Sequence, residues 1–243
     1  MWRSLLDPLL PAACWACRRP QRGRAPLCRR CEAALPWLGA EAGPSRHLDH
    51  AWAAFAFEGS ARALVHALKF RGALGLADVM AAQIAARAPS ALLGSHGVLV
   101  PVPAHPGRRR RRGFDPALLV TQALSAAVGV PHHDALRRSG ALSAGQRGAG
   151  RAERLAGDRL GISARGPISG RVVLVDDVWT TGATLQACAL ALYGAGAASV
   201  DAIAYARVLD RPGGSGTIRM PAGHPREERH AHRRQGPQRA DQR

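Results

Sequence analysis

Apolar and polar positions along the chain alternate between short continuous apolar runs and longer helix-like stretches. AWAAFAFEG (51–59) reads as a strand that ends in a turn, and SARALVHALKF (60–70) as a helix with Ser60 as its N-cap. LADVMAAQIAARA (76–88) reads as a second helix. GVLVPVP (97–103) reads as a buried strand stopped by its prolines. PALLVTQALSAAVG (116–129) is a third helix, with Pro116 in the first turn and Gly129 near the end. RVVLVDD (171–177) is a second buried strand, TLQACALALYGAG (184–196) a helix closed by glycines, and ASVDAIAYARV (198–208) a last strand. Strands alternating with helices over residues 51–206 predict an α/β fold with a mainly parallel sheet flanked by helices. No internal repeat is visible.

The chain's 243 residues suffice for one full domain and a small module. The split expected is 1–45, 46–209 and a basic tail, 210–243. The tail has few apolar residues and much Pro, Gly, Arg and His, so it is expected to be disordered. Hydrophobic residues make up 47% of the chain but aromatics only 5%, so the core must be mostly Ala, Leu and Val. No apolar run reaches the roughly 20 residues a membrane span requires. The opening MWRSLLDPLLPAAC is too short and too broken by Pro and Asp to read as a signal peptide. A cytoplasmic location is the expectation. The net charge of +17 favours polyanionic partners. Lys69 is the sole lysine, so an arginine-rich composition is an equally good source of that charge.

RVVLVDDVWTTGATL (171–185) carries the strongest chemical signal. Val172–Val175 is continuous and apolar, as a strand covered on both faces should be. Asp176 and Asp177 follow at its carboxyl end, where open α/β sheets bind ligands. Thr180, Thr181, Gly182, Ala183 and Thr184 then lead into a helix. Small residues before a helix N-terminus expose backbone N–H groups that suit a phosphate, and Gly182 lets the backbone approach closely. The two carboxylates suit ribose hydroxyls, and they can position Mg2+ through water.

Cys14-x2-Cys17 and Cys28-x2-Cys31 form two knuckles separated by ten residues. Four thiolates complete a tetrahedral structural Zn2+ site, and so short a module does not fold without a cross-link. Two disulfides are the alternative, disfavoured by the absence of a recognisable signal peptide. Cys188, in the helix after the phosphate loop, reads as a core residue. His66, His132 and His133 show no metal spacing and read as surface or helix-face residues. Arg108–Arg112 is either a solvated charge run or a cluster that attracts pyrophosphate or a nucleic-acid backbone. Phe114 and Trp179 are the aromatics beside these loops.

LVDDVWTTGATL resembles the phosphoribosyl diphosphate (PRPP) signature of type I phosphoribosyltransferases, with Trp179 in a variable place. Together with the cysteine knuckles, LVHALKFRG (64–72), VLVPVPAHPGRRRRRGFDPALLV (98–120) and QRGAGRAERLAG (146–157), it resembles the ComF family of natural competence. The family usually reads Asn-Gln where this chain has Asp115-Pro116, and an Asn where it has Gly157. The resemblance implies a type I phosphoribosyltransferase-like fold behind a zinc module. Asp176, Asp177 and Thr180–Thr184 would then hold PRPP with Mg2+. The turn after Val102-Pro103, with Arg108, would be the pyrophosphate loop. Residues of about 136–155, with Gln146, Arg147 and Arg154 as contacts, would close over the site. Two functions follow from it: a PRPP-binding protein of DNA uptake that contacts single-stranded DNA, or an active transferase acting on a base or amine. No catalytic residue is assigned.

Overall fold

The computed structural model describes residues 13–21, 25–94, 97–139 and 160–209. The tail expected at 210–243 and the loop residues Gln146, Arg147 and Arg154 lie outside the described residues.

A five-stranded sheet forms the centre. In chain order its strands are Gly43–Ser45 (β1), Leu48–Ala56 (β2), Gly97–Pro101 (β3), Arg171–Trp179 and Ser199–Arg207. Two short strands, Leu136–Arg138 (β4) and Ile162–Ala164 (β5), pair antiparallel as a separate small sheet, so the last two strands of the main sheet are β6 and β7. The main order is β1-β2-β7-β6-β3, parallel throughout except for β1 at one edge. The helices are Arg29–Ala33 (α1), Gly59–Arg71 (α2), Leu76–Ala85 (α3), Pro106–Arg112 (α4), Pro116–Val128 (α5) and Ala183–Gly194 (α6). This is the mainly parallel, helix-flanked α/β architecture expected.

The sheet is covered on both faces, and β6 shows how. Val173 and Val175 belong to an apolar cluster with Leu64 and Leu68 of α2, Met80 and Ile84 of α3, and Val120 and Leu124 of α5. Val172 and Leu174 point the other way, into a cluster with Leu185, Cys188 and Leu192 of α6 and with Leu136 and Ile162. Side chains alternate across a strand, so a run apolar at every position needs both faces dry. Cys188 is fully buried, in keeping with its reading as core. Cys14 and Leu27 are buried in the same cluster as α2 and α3.

Several boundaries differ from the sequence reading, and one helix was not foreseen. Ser60 does not cap α2: the helix begins at Gly59, Glu58 stands at the N-cap, and Ser60 is buried in the first turn. Gly59 takes φ +49, which glycine adopts at little cost, so the chain turns inward one residue early. Strand β6 runs two residues further, because Val178 and Trp179 still pair with Ala206 and Arg207 of β7. Helix α6 ends at Gly194, where Gly196 at φ +107 turns the chain away. The arginine run is helical. Pro106 starts α4, the His105 ring accepts a hydrogen bond from Gly107 N at 3.2 Å, and Gly113 closes it in the left-handed conformation.

All four parallel strands put their carboxyl ends on one edge of the sheet. Phe57 follows β2, Val102–His105 follow β3, and Thr180 follows β6. If β6 anchors both layers, Leu174→Ala should cost about 2–5 kcal/mol, the range for emptying a fully buried leucine site. Denaturant unfolding monitored by circular dichroism would measure it, and a loss below about 1 kcal/mol would show that the second layer collapses to fill the space.

Candidate functional site

Asp176 and Asp177 leave the strand on opposite sides of the chain, yet both line one cleft of 490 Å3. The N–H of Asp177 donates to Asp176 Oδ1 at 2.8 Å. Lys69 comes from α2, where Leu68 beside it is buried in the core. Its ammonium reaches Asp177 Oδ1 at 2.8 Å. Asp177 Oδ2 is buried and has no hydrogen-bond partner. Burial pushes the Asp176 carboxyl well above the usual range, the neighbouring Asp177 charge pushes the same way, and Lys69 offsets this in part. Two adjacent acids therefore share one cation, and an orphaned acceptor is left over.

The loop that follows is braced from below. Trp179 is 8% exposed, and the Arg207 guanidinium packs 4.0 Å from its ring centroid. Gly182 sits at φ +79, and a Cβ there would meet Trp179 Nε1 at 3.0 Å. Both the backbone conformation and the close approach require glycine. Ala183 N–H donates to Thr181 Oγ1 at 3.4 Å, which bends the chain into α6. Thr180 and Thr184 line the cleft, while Thr181 and Ala183 are exposed beside it.

Across the cleft stand Val102, Pro103, Ala104 and His105. Two backbone donors there are already engaged. Val102 N–H donates to Val175 O at 3.0 Å, and Ala104 N–H donates to Asp115 Oδ2 at 2.9 Å. The other Asp115 oxygen accepts from Ala117 N at 3.1 Å, at the start of α5. Burial raises the Asp115 carboxyl, the N–H of Ala104 opposes it, and Asp177 adds to it. One carboxylate thus caps a helix and pins the loop after β3. Asn would offer one acceptor oxygen where this carboxylate uses two.

Helical phase sorts the arginine run. Arg108, Arg111 and Arg112, spaced i, i+3, i+4, line this cleft, whereas Arg109 lines a separate 190 Å3 hollow. Arg138, from β4, enters from the side, with Nε buried and unpartnered. Burial lowers its affinity for the proton, and the Arg108 charge lowers it further. Lys69 and four arginines thus face Asp115, Asp176 and Asp177 across one opening. A ligand with hydroxyls at one end and anionic groups at the other matches that arrangement.

Cys14, Cys17, Cys28 and Cys31 form a second centre. Their sulfurs all lie within 4.8 Å of one another, and none is in a disulfide. A tight turn closes the first knuckle, with Arg18 N–H donating to Cys14 O at 2.9 Å. Trp15 N–H donates to Pro26 O at 2.9 Å and draws the second knuckle alongside. Burial works against ionising Cys14, but N–H donors from Cys17, Cys28 and Ala16 outweigh it and bring its thiol down to about 6. Burial and the other three cysteines drive Cys31 up to about 12. Four thiols this close cannot all ionise alone, and a divalent cation would supply the missing charge. The donor set and spacing suit tetrahedral zinc.

Competence protein ComFC of Bacillus subtilis (strain 168) is 28% identical to this chain over 207 residues, 84% of this chain and 82% of that protein. The chain is ComF-like. No family model matches it. Among solved structures, glutamine PRPP amidotransferase of B. subtilis overlays 54% of the ComF-like chain at 25% identity with a TM-score of 0.35. PRPP synthetase of Mycobacterium smegmatis overlays 56% at 19% identity with a TM-score of 0.32. The ComF-like chain spans 25% and 34% of those two proteins. No helix among the described residues is long and apolar enough to cross a membrane.

Sequence reasoning assigned no role to Lys69, Arg138, Phe57, His66 or Phe70, all of which line the cleft of this ComF-like chain. LVHALKFRG held three of them, at helical spacing on one face. Phe114 is half-buried against the core, as Trp179 is buried beneath its loop, so neither offers an open ring. The raised carboxyl of Asp176 has a sign that can be tested. The unfolded carboxyl ionises near 4 and the folded one higher, so the protein loses stability as pH rises between the two. Asp176→Asn should therefore raise the melting temperature at pH 8 and give no gain near pH 4. An equal shift at both values would show that the Asp176 carboxylate is well solvated.

Proposed function

We propose that this chain binds PRPP in the cytoplasm and serves DNA uptake in natural competence, contacting single-stranded DNA. One observation carries the ligand reading: paired carboxylates, two threonines and five cationic side chains line a single cleft at the carboxyl edge of a parallel sheet. Similarity to a competence protein supports the process. The net charge of +17 and the exposed Arg108–Arg111 support the nucleic-acid contact.

In this reading Asp176 and Asp177 accept hydrogen bonds from ribose hydroxyls, and Asp177 Oδ2 gains the partner it lacks. Thr180–Thr184 hold the 5′-phosphate. Arg108, Arg111, Arg112 and Arg138 face the diphosphate, with Val102 and Pro103 as its floor. Gln146 and Arg154 remain candidates for closing contacts. Mg2+, held through water by the two aspartates, would neutralise the diphosphate. Lys69 must leave Asp177 or share it when the ligand enters, because its ammonium occupies one ribose acceptor. The same reading divides the chain into a zinc module (1–45), a ligand-binding domain (46–209) and a basic tail (210–243).

Titration calorimetry with PRPP and Mg2+ tests the site. Asp176→Ala with Asp177→Ala should weaken binding tenfold or more, since each lost hydrogen-bonded group costs about 1–3 kcal/mol. Unchanged affinity would place the ligand elsewhere. Pyrophosphate release with a panel of bases and amines would replace binding by transfer catalysis. For the cysteine cluster, one Zn2+ per chain should copurify, and Cys14→Ser should lower both metal content and melting temperature. A metal-free protein of normal stability would sink the zinc assignment.

A further inference from the structure

Phe70 stands in the last turn of α2 and is 61% exposed. A single exposed phenylalanine is ordinary. This one lies on the rim of the cleft, among other rings and cations. His66 meets it edge-on at 5.4 Å between centroids, and Phe57 lies 6.0 Å beyond His66. The Arg112 guanidinium packs 5.0 Å from the Phe70 centroid, and Arg62 sits 6.0 Å from that of Phe57. With so much of Phe70 in solvent, the ring keeps a face open. Burial, then the charges of Arg62 and Lys69, lower the His66 pKa, which favours the neutral imidazole on this shelf.

We propose that Phe70, backed by His66, Phe57 and Arg112, is a stacking platform for one base of a single-stranded nucleic acid whose phosphates lie on Arg108 and Arg111. The proposal rests on the DNA-contact reading above and gives it a place. Proteins that hold single strands combine a cationic track with aromatic faces, and any base can stack because every base has a π-face. Both parts are present here within one opening. Arg108, Arg109, Arg110 and Arg111 are exposed along α4, and the aromatic shelf begins at Arg112, where that helix ends. The charge of this track selects a phosphate-bearing strand over a neutral free base.

The test uses the full chain, a labelled oligothymidylate and an abasic strand of the same length, read by fluorescence anisotropy across a salt series. Phe70→Ala should weaken oligothymidylate binding by about fivefold to a hundredfold. It should leave the abasic strand's weaker binding unaltered. Phe70→Trp should restore the oligothymidylate affinity, which a merely misfolded protein would not do. Arg108→Ser with Arg111→Ser should weaken both strands alike and flatten the salt slope by about 0.7 for each phosphate that is no longer neutralised. Equal affinity for the two strands, with Phe70→Ala silent, would overturn the stacking platform while leaving DNA contact standing. Failure of either strand to bind would overturn the DNA-contact reading itself. Competition by free adenine or uracil at the strand's own affinity would reassign the shelf to a small acceptor.

Discussion

Two carboxylates forced together at the end of a dry strand are the constraint around which this molecule is organised. Strand β6 has an apolar cluster on each face, so its path is fixed by core packing on both sides. Asp176 and Asp177 go where that path delivers them, side by side at one cleft. Lys69 neutralises part of the pair, yet a buried acceptor still lacks a donor. The folded chain therefore holds unsatisfied hydrogen-bonding capacity at one spot. A buried polar atom without a partner calls for an explanation, and a bound ligand would supply one.

The opposite wall is built by a different device. Pro106 and Gly113 bound a helix two turns long, and its pitch directs Arg108, Arg111 and Arg112 to the cleft while turning Arg109 away. Asp115 ties this wall to the sheet by accepting one N–H from the loop after β3 and one from the start of α5. The Asp115-Pro116 pair is thus locally consistent: Pro116 lacks an N–H to satisfy, and the carboxylate caps the next donor. With the N–H groups of Val102 and Ala104 engaged, guanidinium groups supply much of the positive potential facing the cleft.

Much of this was legible in the sequence for a physical reason. Long apolar runs such as Val172–Val175 have one comfortable environment, and Pro and Gly punctuate the elements between them. The aspartates and the TTG turn were readable because two adjacent acids at the end of an apolar strand are costly without a partner, and the small residues before a helix suit an anion. Lys69 was quoted within a motif yet given no role, because a lysine on an amphipathic helix usually faces water. Only the packing of Leu64 and Leu68 turns its ammonium toward Asp177. Arg138 lies on a three-residue strand too short to show a period. The arginine run hid its helix because five identical residues carry no pattern of their own.

Lys69 gives the chain an unusual chemical identity. Apart from the N-terminus, its ε-amine is the one primary amine in 243 residues, and it stands inside the cleft against a carboxylate. Acylation or reductive methylation would mark this amine while leaving the guanidinium surface untouched. A filled cleft and an empty one would then differ in the rate at which a single amine is consumed, so the protein carries a built-in covalent reporter of occupancy.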